Sequence, residues 1–279
     1  MFRKAYLEIT NVCNLRCSFC PGTRREARFL SVDEFRLLAS RLRGHTEYLY
    51  FHLMGEPLLH PRLEELLAIA GSLGFRVMIT TNGTLLPGKG ALLLASGAVH
   101  KVNLSLQSFE ANEGGKLGDY VRSCTEFAGK AESAGIYCEF RLWNRGGLEE
   151  LNGEILSMLE EAFPKPWAKS RNGSRLSERI WLDPGERFHW PDMEREELRS
   201  SGFCYGLRDQ IGVLCDGTVV PCCLDHDGDI PLGNLFEQEL QEILDGPRAR
   251  AIYRGFSERR VLEPLCRRCG YAERFSKHP

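Results

Sequence analysis

Cysteine is the residue type whose spacing in this chain points most directly to chemistry. Cys13, Cys17 and Cys20 fall within "NVCNLRCSFC", residues 11–20, in the arrangement C-x-x-x-C-x-x-C. Thiolates ligate soft metal centres, and structural zinc or a ferredoxin-type cluster takes four protein ligands. Three thiolates leave one iron of a four-iron cubane open to an exchangeable ligand, much as catalytic zinc keeps one open position, so the spacing predicts a reactive centre. A zinc or redox loop completed by a distant residue is the alternative that the trio alone leaves open.

The other cysteines gather at the far end. Of 11 in the chain, Cys204, Cys215, Cys222, Cys223, Cys266 and Cys269 lie from residue 204 onward, and only Cys124 and Cys138 lie between the two groups. The opening "MFRKAYLEIT" lacks the apolar core of a signal peptide, and no apolar run approaches the roughly 20 residues that span a bilayer. The expectation is a cytoplasmic protein with no membrane contact, where metal ligation explains paired cysteines better than disulfides do. Cys124 and Cys138, each isolated, are expected to pack as small apolar side chains. A net charge of -2 argues against a nucleic-acid partner, although the segment Arg248 to Lys277 is locally basic.

Short apolar runs alternating with helical patterns must position these groups. Strands are predicted at "AYLEI", "YLYFHL", "RVMITT", "VNLSLQ" and "CEFRLW". Between the first two, Ser31 stands three residues before Glu34, a capping box, and Gly44 closes the helical pattern. A second helix is predicted over "HPRLEELLAIAGSLG". Strand and helix in repeated alternation imply a parallel sheet in an α/β fold, and the repeats up to about residue 165 are too few for a closed eight-fold barrel. An open or partial barrel over residues 1–190 is expected. "KSRNGSRLSERIWLDPGERFHWPD" reads as a last strand and a linker, and residues 191–279 as a small cysteine-rich domain with a two-residue hairpin turn at Asp216-Gly217 and a helix at "EQELQEILDG".

The three-cysteine motif, with Phe19 before its last cysteine, resembles the radical S-adenosylmethionine (SAM) superfamily. "LMGEPLLHP" at the end of the second strand looks like that family's glycine-rich SAM-binding element, carried here by Gly55, Glu56 and Pro57, with Met54 in place of its first glycine. "TTNGTLL" matches the family's Thr-Asn-Gly turn through Asn82. Ser105 and Arg141 stand where similar enzymes contact the ribose or carboxylate of SAM. The resemblance implies a (β/α)6-type partial barrel, a 4Fe-4S cluster on Cys13, Cys17 and Cys20 whose open iron is chelated by SAM, and reductive cleavage of SAM to a 5'-deoxyadenosyl radical that abstracts a substrate hydrogen.

Cys204 followed by twelve residues, Gly217, four residues and Cys222 resembles the opening of SPASM domains, which hold auxiliary clusters. With only Cys266 and Cys269 beyond it, the tail looks like the shortened twitch form, which implies one auxiliary 4Fe-4S cluster on Cys204, Cys222, Cys266 and Cys269. A zinc ribbon on the same residues is the alternative. Adjacent side chains of a strand point to opposite faces, so Cys222 is expected at the cluster and Cys223 away from it, with Cys215 as another packed thiol. The resemblance implies an oxidoreductase that oxidises or cross-links a peptide or protein side chain, or else dehydrogenates a small molecule such as an aminocyclitol or sugar, with flavodoxin or ferredoxin as electron donor. His52, His60 or the basic tail could face a small anionic substrate. The residues leave a catalytic acid or base unassigned, and a non-enzymatic electron carrier or zinc protein remains a third reading.

Overall fold

The structure, a computed structural model, describes residues 1–112, 115–170 and 173–275. Strand and helix alternate from the start: β1 (Lys4–Leu7), α1 (Val32–Leu42), β2 (Tyr48–Tyr50), α2 (Leu63–Ser72), β3 (Arg76–Thr81), α3 (Leu86–Ala95), β4 (Val99–Ser105), α4 (Leu117–Ser133), β5 (Tyr137–Arg145) and α5 (Asn152–Ala162). Next come β6 (Ala168–Ser170), β7 (Gly173–Arg175) and β8 (Ile180–Glu186). β1, β2, β3, β4, β5 and β8 are parallel neighbours in that order, with a helical crossover between each pair. This is the partial barrel expected from the alternation.

Strand period decides what the barrel offers to its two sides. Along β5, Cys138, Phe140, Leu142 and Asn144 are buried, whereas Glu139, Arg141 and Trp143 alternate with them and line the interior cavity. Cys124 and Cys138 belong to the core between sheet and helices, as expected of isolated thiols. The capping box of α1 is present in full, with Glu34 N donating to Ser31 Oγ and Ser31 N to Glu34 Oε2.

The tail contributes β9 (Gln210–Val213), β10 (Thr218–Val220), β11 (Gly233–Asn234), α6 (Leu240–Asp245), α7 (Pro247–Ser257) and α8 (Pro264–Arg267). β9 pairs in parallel with β1 on the edge opposite β2, so one sheet runs from the cysteine-rich segment through the barrel. Sheet order is β11-β10-β9-β1-β2-β3-β4-β5-β8-β7-β6.

Two local expectations are corrected. The segment read as one last strand holds three, because β6 and β7 form an antiparallel hairpin beside β8; Arg171 and Asn172 lie outside the described residues. The β9–β10 connection is also longer than a two-residue turn. Gly217 N donates to Leu214 O at 2.9 Å, Gly217 has φ +81°, and Leu214 N donates to Thr218 O at 2.9 Å. That is a three-residue loop with glycine in the left-handed position. A Cβ on Gly217 would stand 2.5 Å from Asn234 Oδ1, so the turn also needs a glycine for space. Among the described residues, no helix is long and apolar enough to cross a membrane.

Candidate active site

A cavity of about 1100 Å³ occupies the barrel interior. It gathers Cys13, Cys17, Phe19, Cys20, Gly55, Ser105 and Arg141 into one space. The three cysteines and Phe19 lie on the loop after β1, Gly55 in the turn after β2, Ser105 at the end of β4, and Arg141 midway along β5; the loops at strand ends are where parallel sheets hold their ligands. Ser105 and Arg141 are register partners across β4 and β5.

Donors already face the sulfurs of this loop. Asn112 Nδ2 lies 3.1 Å from Cys17 Sγ, Leu15 N lies 3.5 Å from Cys13 Sγ, and Asn82 Nδ2 lies 4.0 Å from Cys13 Sγ. Asn112 also accepts from Arg16 N at 2.9 Å and donates to Ser108 O at 2.7 Å, which ties the loop to the end of β4. N–H groups aimed at sulfur suit thiolates that share their charge with iron. Burial above all, with neighbouring negative groups adding to it at Cys13 and Cys17, pushes the thiols of Cys13, Cys17 and Cys20 upward, so metal binding must release their protons.

Glu56, Pro57 and Asn82 stand outside the lining and support it from behind. Glu56 Oε2 accepts from Asn82 N at 2.8 Å and Oε1 from Leu58 N at 3.0 Å, locking the second and third strand ends together. Burial, against three hydrogen bonds, pushes this carboxyl up to about 7. Pro57 opens a short 3-10 turn, Pro57–Leu59. Gly55 has a tighter constraint than close approach by a ligand. At φ +77° a Cβ there would stand 2.4 Å from Thr10 O and 2.9 Å from Val12 O, so the glycine lets this turn pack on the cysteine loop itself.

One wall of the cavity is charged and aromatic. Glu139 accepts from Arg141 Nε at 2.8 Å and from Lys101 Nζ, Arg141 lies 4.6 Å over the Trp143 ring, and Trp143 Nε1 donates to Asp183 Oδ2 at 3.0 Å. Burial works to raise Glu139, but Arg141 and Lys101 outweigh it and hold the carboxyl below its ordinary value. Asp183 moves the other way, raised by burial and by the charge of Glu139. His52 lines the cavity, and burial, Arg141 and Lys4 push it down to about 3, so it is neutral at physiological pH. His60 does not face the cavity. Its Nε2 lies 2.9 Å from Leu30 O and its Nδ1 accepts from Arg62 N, which makes it a loop brace. The basic run is largely spent on ion pairs such as Arg248–Glu263 and Arg268–Glu197, and Lys277 lies outside the described residues.

Next to the large cavity, with which it shares Gln210, Leu224, Tyr271 and Phe275, a second, small cavity of about 30 Å³ is lined by Cys204, Cys222, Cys266 and Cys269. Cys223 turns the other way into the large cavity, where it packs on Tyr6. Cys215 is buried, its Sγ donating to Glu8 O at 3.2 Å. Four thiols around one apolar pocket suit a fully cysteine-ligated cluster. Among the described residues no three His, Cys, Asp or Glu side chains converge on a single ion. Sequence reasoning missed Asn112, Glu8 and Arg25, none of which belongs to a spacing motif.

Residues 7–126 match the sequence profile of the radical SAM superfamily, and residues 204–270 that of the SPASM iron-sulfur cluster-binding domain. The chain belongs to the radical SAM superfamily and carries a C-terminal SPASM-type domain; its cofactors are SAM, a SAM-binding 4Fe-4S cluster and auxiliary iron-sulfur chemistry. It is 35% identical over 105 residues to the tungsten-containing aldehyde ferredoxin oxidoreductase cofactor-modifying protein of Pyrococcus furiosus, a match covering 36% of this chain and 30% of that protein. The chain thus spans about a third of the length of the curated relatives it matches. In fold it is similar to BtrN in complex with AdoMet and 2-DOIA, at TM-score 0.61 and 17% identity over 96% of this chain and 93% of that one. It is likewise similar to Streptococcus suis SuiB bound to precursor peptide SuiA, at TM-score 0.64 and 17% identity over 98% and 70%.

Proposed function

We propose that this chain is a radical SAM maturase that oxidises or cross-links a side chain of a peptide or protein, with residues 1–190 as catalytic barrel and 191–279 as a twitch domain. Cys13, Cys17 and Cys20 hold the SAM-binding cluster; Cys204, Cys222, Cys266 and Cys269 hold one auxiliary 4Fe-4S cluster. The observation that carries this reading is the divergence of two adjacent residues: Cys222 faces the four-cysteine pocket while Cys223 lines the cavity shared with the first three cysteines. One residue of backbone separates the reaction space from the auxiliary site, short enough for the substrate radical left by hydrogen abstraction to pass an electron to an auxiliary cluster.

When bound, SAM and the reduced cluster supply a 5'-deoxyadenosyl radical that removes a substrate hydrogen atom. The chain's residues bind and orient around that chemistry. Phe19 and Gly55 shape the mouth beside the cysteine loop, Ser105 and Arg141 offer a hydroxyl and a guanidinium to polar groups of SAM, and Glu56 with Asn82 fixes the strand ends that carry them. Tyr271 and Phe275 from the tail line the cavity with aromatic rings on the side of Cys223. Asp183, raised by burial, is the carboxyl on the wall suited to accept a proton from a substrate undergoing oxidation. The peptide bound to SuiB supports a peptide substrate. Flavodoxin or ferredoxin in the cytoplasm is the proposed reductant.

Anaerobic incubation with SAM, dithionite and deuterated candidates tests the reading. Deuterium from a peptide side chain should appear in 5'-deoxyadenosine. Transfer from an aminocyclitol but from no peptide would favour a small-molecule dehydrogenase, and absence of any SAM cleavage would favour an electron carrier.

A further inference from the structure

We propose that Arg199 faces the auxiliary cluster as its counter-charge and N–H donor, and sets that cluster's reduction potential. The inference rests on the reading of Cys204, Cys222, Cys266 and Cys269 as its ligands. Arg199 comes from a segment without helix or strand, yet its backbone is pinned. Leu198 N and Arg199 N both donate to Arg267 O, at 2.8 and 3.1 Å, and Arg267 directly follows Cys266. The side chain then lines the same small pocket as the four cysteines.

Its hydrogen bonding is incomplete in a way that points to a missing group. Nη1 reaches Phe203 O at 3.5 Å, but Nε is buried and has no partner among the described residues. No carboxylate among the described residues forms an ion pair with this guanidinium, although most neighbouring arginines of the tail have one. A buried N–H left unpaired costs free energy, and more so on a charged group. The pocket it lines holds four sulfurs and one carboxylate, Asp225, whose two oxygens are already taken by Asp229 N and Ile230 N. Gly202 keeps room for the arrangement: at φ +139° it carries no side chain, and a Cβ there would stand 2.9 Å from Arg199 Nη1.

A cluster held by four thiolates is an anion, and its negative charge grows by one when it accepts an electron. A guanidinium beside it, donating to sulfur, stabilises the reduced form over the oxidised one and so raises the potential. This is the direction needed by an acceptor of substrate electrons placed one residue from the reaction cavity.

The test is an EPR-monitored redox titration of the full, anaerobically reconstituted chain, following the signal that added SAM does not perturb, with iron and sulfide counted in the same samples. Arg199→Gln should lower the midpoint by about the equivalent of tenfold in the one-electron equilibrium, ~59 mV. Arg199→Lys keeps the charge without the planar fork and should fall between the two. An unchanged midpoint in Arg199→Gln at full iron content overturns the proposal. Should that variant lose iron, Arg199→Lys carries the test, and an unchanged midpoint at full iron overturns it equally. A wild type that binds only about four irons overturns the ligand reading, and this inference with it.

Discussion

Arg25 and Glu8 form a bidentate pair, with Nη1 and Nη2 each 2.7 Å from one carboxylate oxygen, and Glu8 is fully buried. The same carboxylate accepts from Met54 N at 3.2 Å and Cys215 N at 3.1 Å, while Arg25 Nε donates to His226 O at 2.9 Å. Next to it, Thr23 and Arg24 bind Asp227 through three hydrogen bonds of 2.6 to 2.9 Å. The segment after Cys20 is therefore clamped at once to β1, to the Gly55 turn and to the tail, so the two cysteine groups are held by one network.

Removing one partner of such a pair leaves a buried charge uncompensated. Glu8→Ala should destabilise the folded chain by about 3–5 kcal/mol, with Arg25→Lys costing less because a point charge replaces one arm of the fork. Denaturant unfolding of the two variants measures this. Equal stability with wild type would show that the clamp is not a structural node.

Asn112 should tune the first cluster as well as hold its loop. Asn112→Asp keeps the acceptor used by Arg16 N and loses the donor to Cys17 Sγ, while Asn112→Ala loses both without adding charge. Both should lower the midpoint of the SAM-sensitive EPR signal, since hydrogen bonds to sulfur raise it. A drop in Asn112→Asp alone would assign the effect to charge.

Glu56 makes stability depend on pH. Its folded value is near 7 against an ordinary 4.5, so the folded state holds the proton where the unfolded chain has released it. Stability contributed by this group is complete below about 4.5, falls as pH rises toward 7, and is flat above, a total of about 3 kcal/mol. Glu56→Gln, which cannot ionise, should flatten that slope in thermal unfolding between about pH 4.5 and 7. A slope unchanged in the variant would place its origin elsewhere.

At Gly55, substitution should disturb the loop before it disturbs SAM. Gly55→Ala meets backbone oxygens at Thr10 and Val12, which cannot move aside as a flexible side chain would, and φ +77° adds strain. Iron binding by the first cluster and SAM affinity should fall together. SAM affinity falling at full iron content would restore close ligand approach as the reason for the glycine.

Much of this was legible in residue spacing. The capping box of α1, the parallel alternation and both cysteine groups follow local rules that tertiary structure did not override. Cys222 and Cys223 do diverge, but not by strand period, since β10 ends at Val220 and both lie in the turn that follows it. What escaped notice depends on distance along the chain. Asn112 meets Cys17 across 95 positions, and Arg199 reaches its pocket from an irregular segment. The β6–β7 hairpin is polar and largely exposed, so it carries no apolar period to read. Glu56 and Asn82 carry a motif, but the motif alone does not say that they brace the lining from behind.

Iron and sulfide content of three anaerobically reconstituted proteins bears most directly on the two-cluster reading. Wild type should hold about eight irons, Cys222→Ala about four with 5'-deoxyadenosine still released from SAM under dithionite, and Cys223→Ala about eight. Loss of four irons in Cys223→Ala instead of Cys222→Ala, or a wild type with about four irons and stoichiometric zinc, would contradict it.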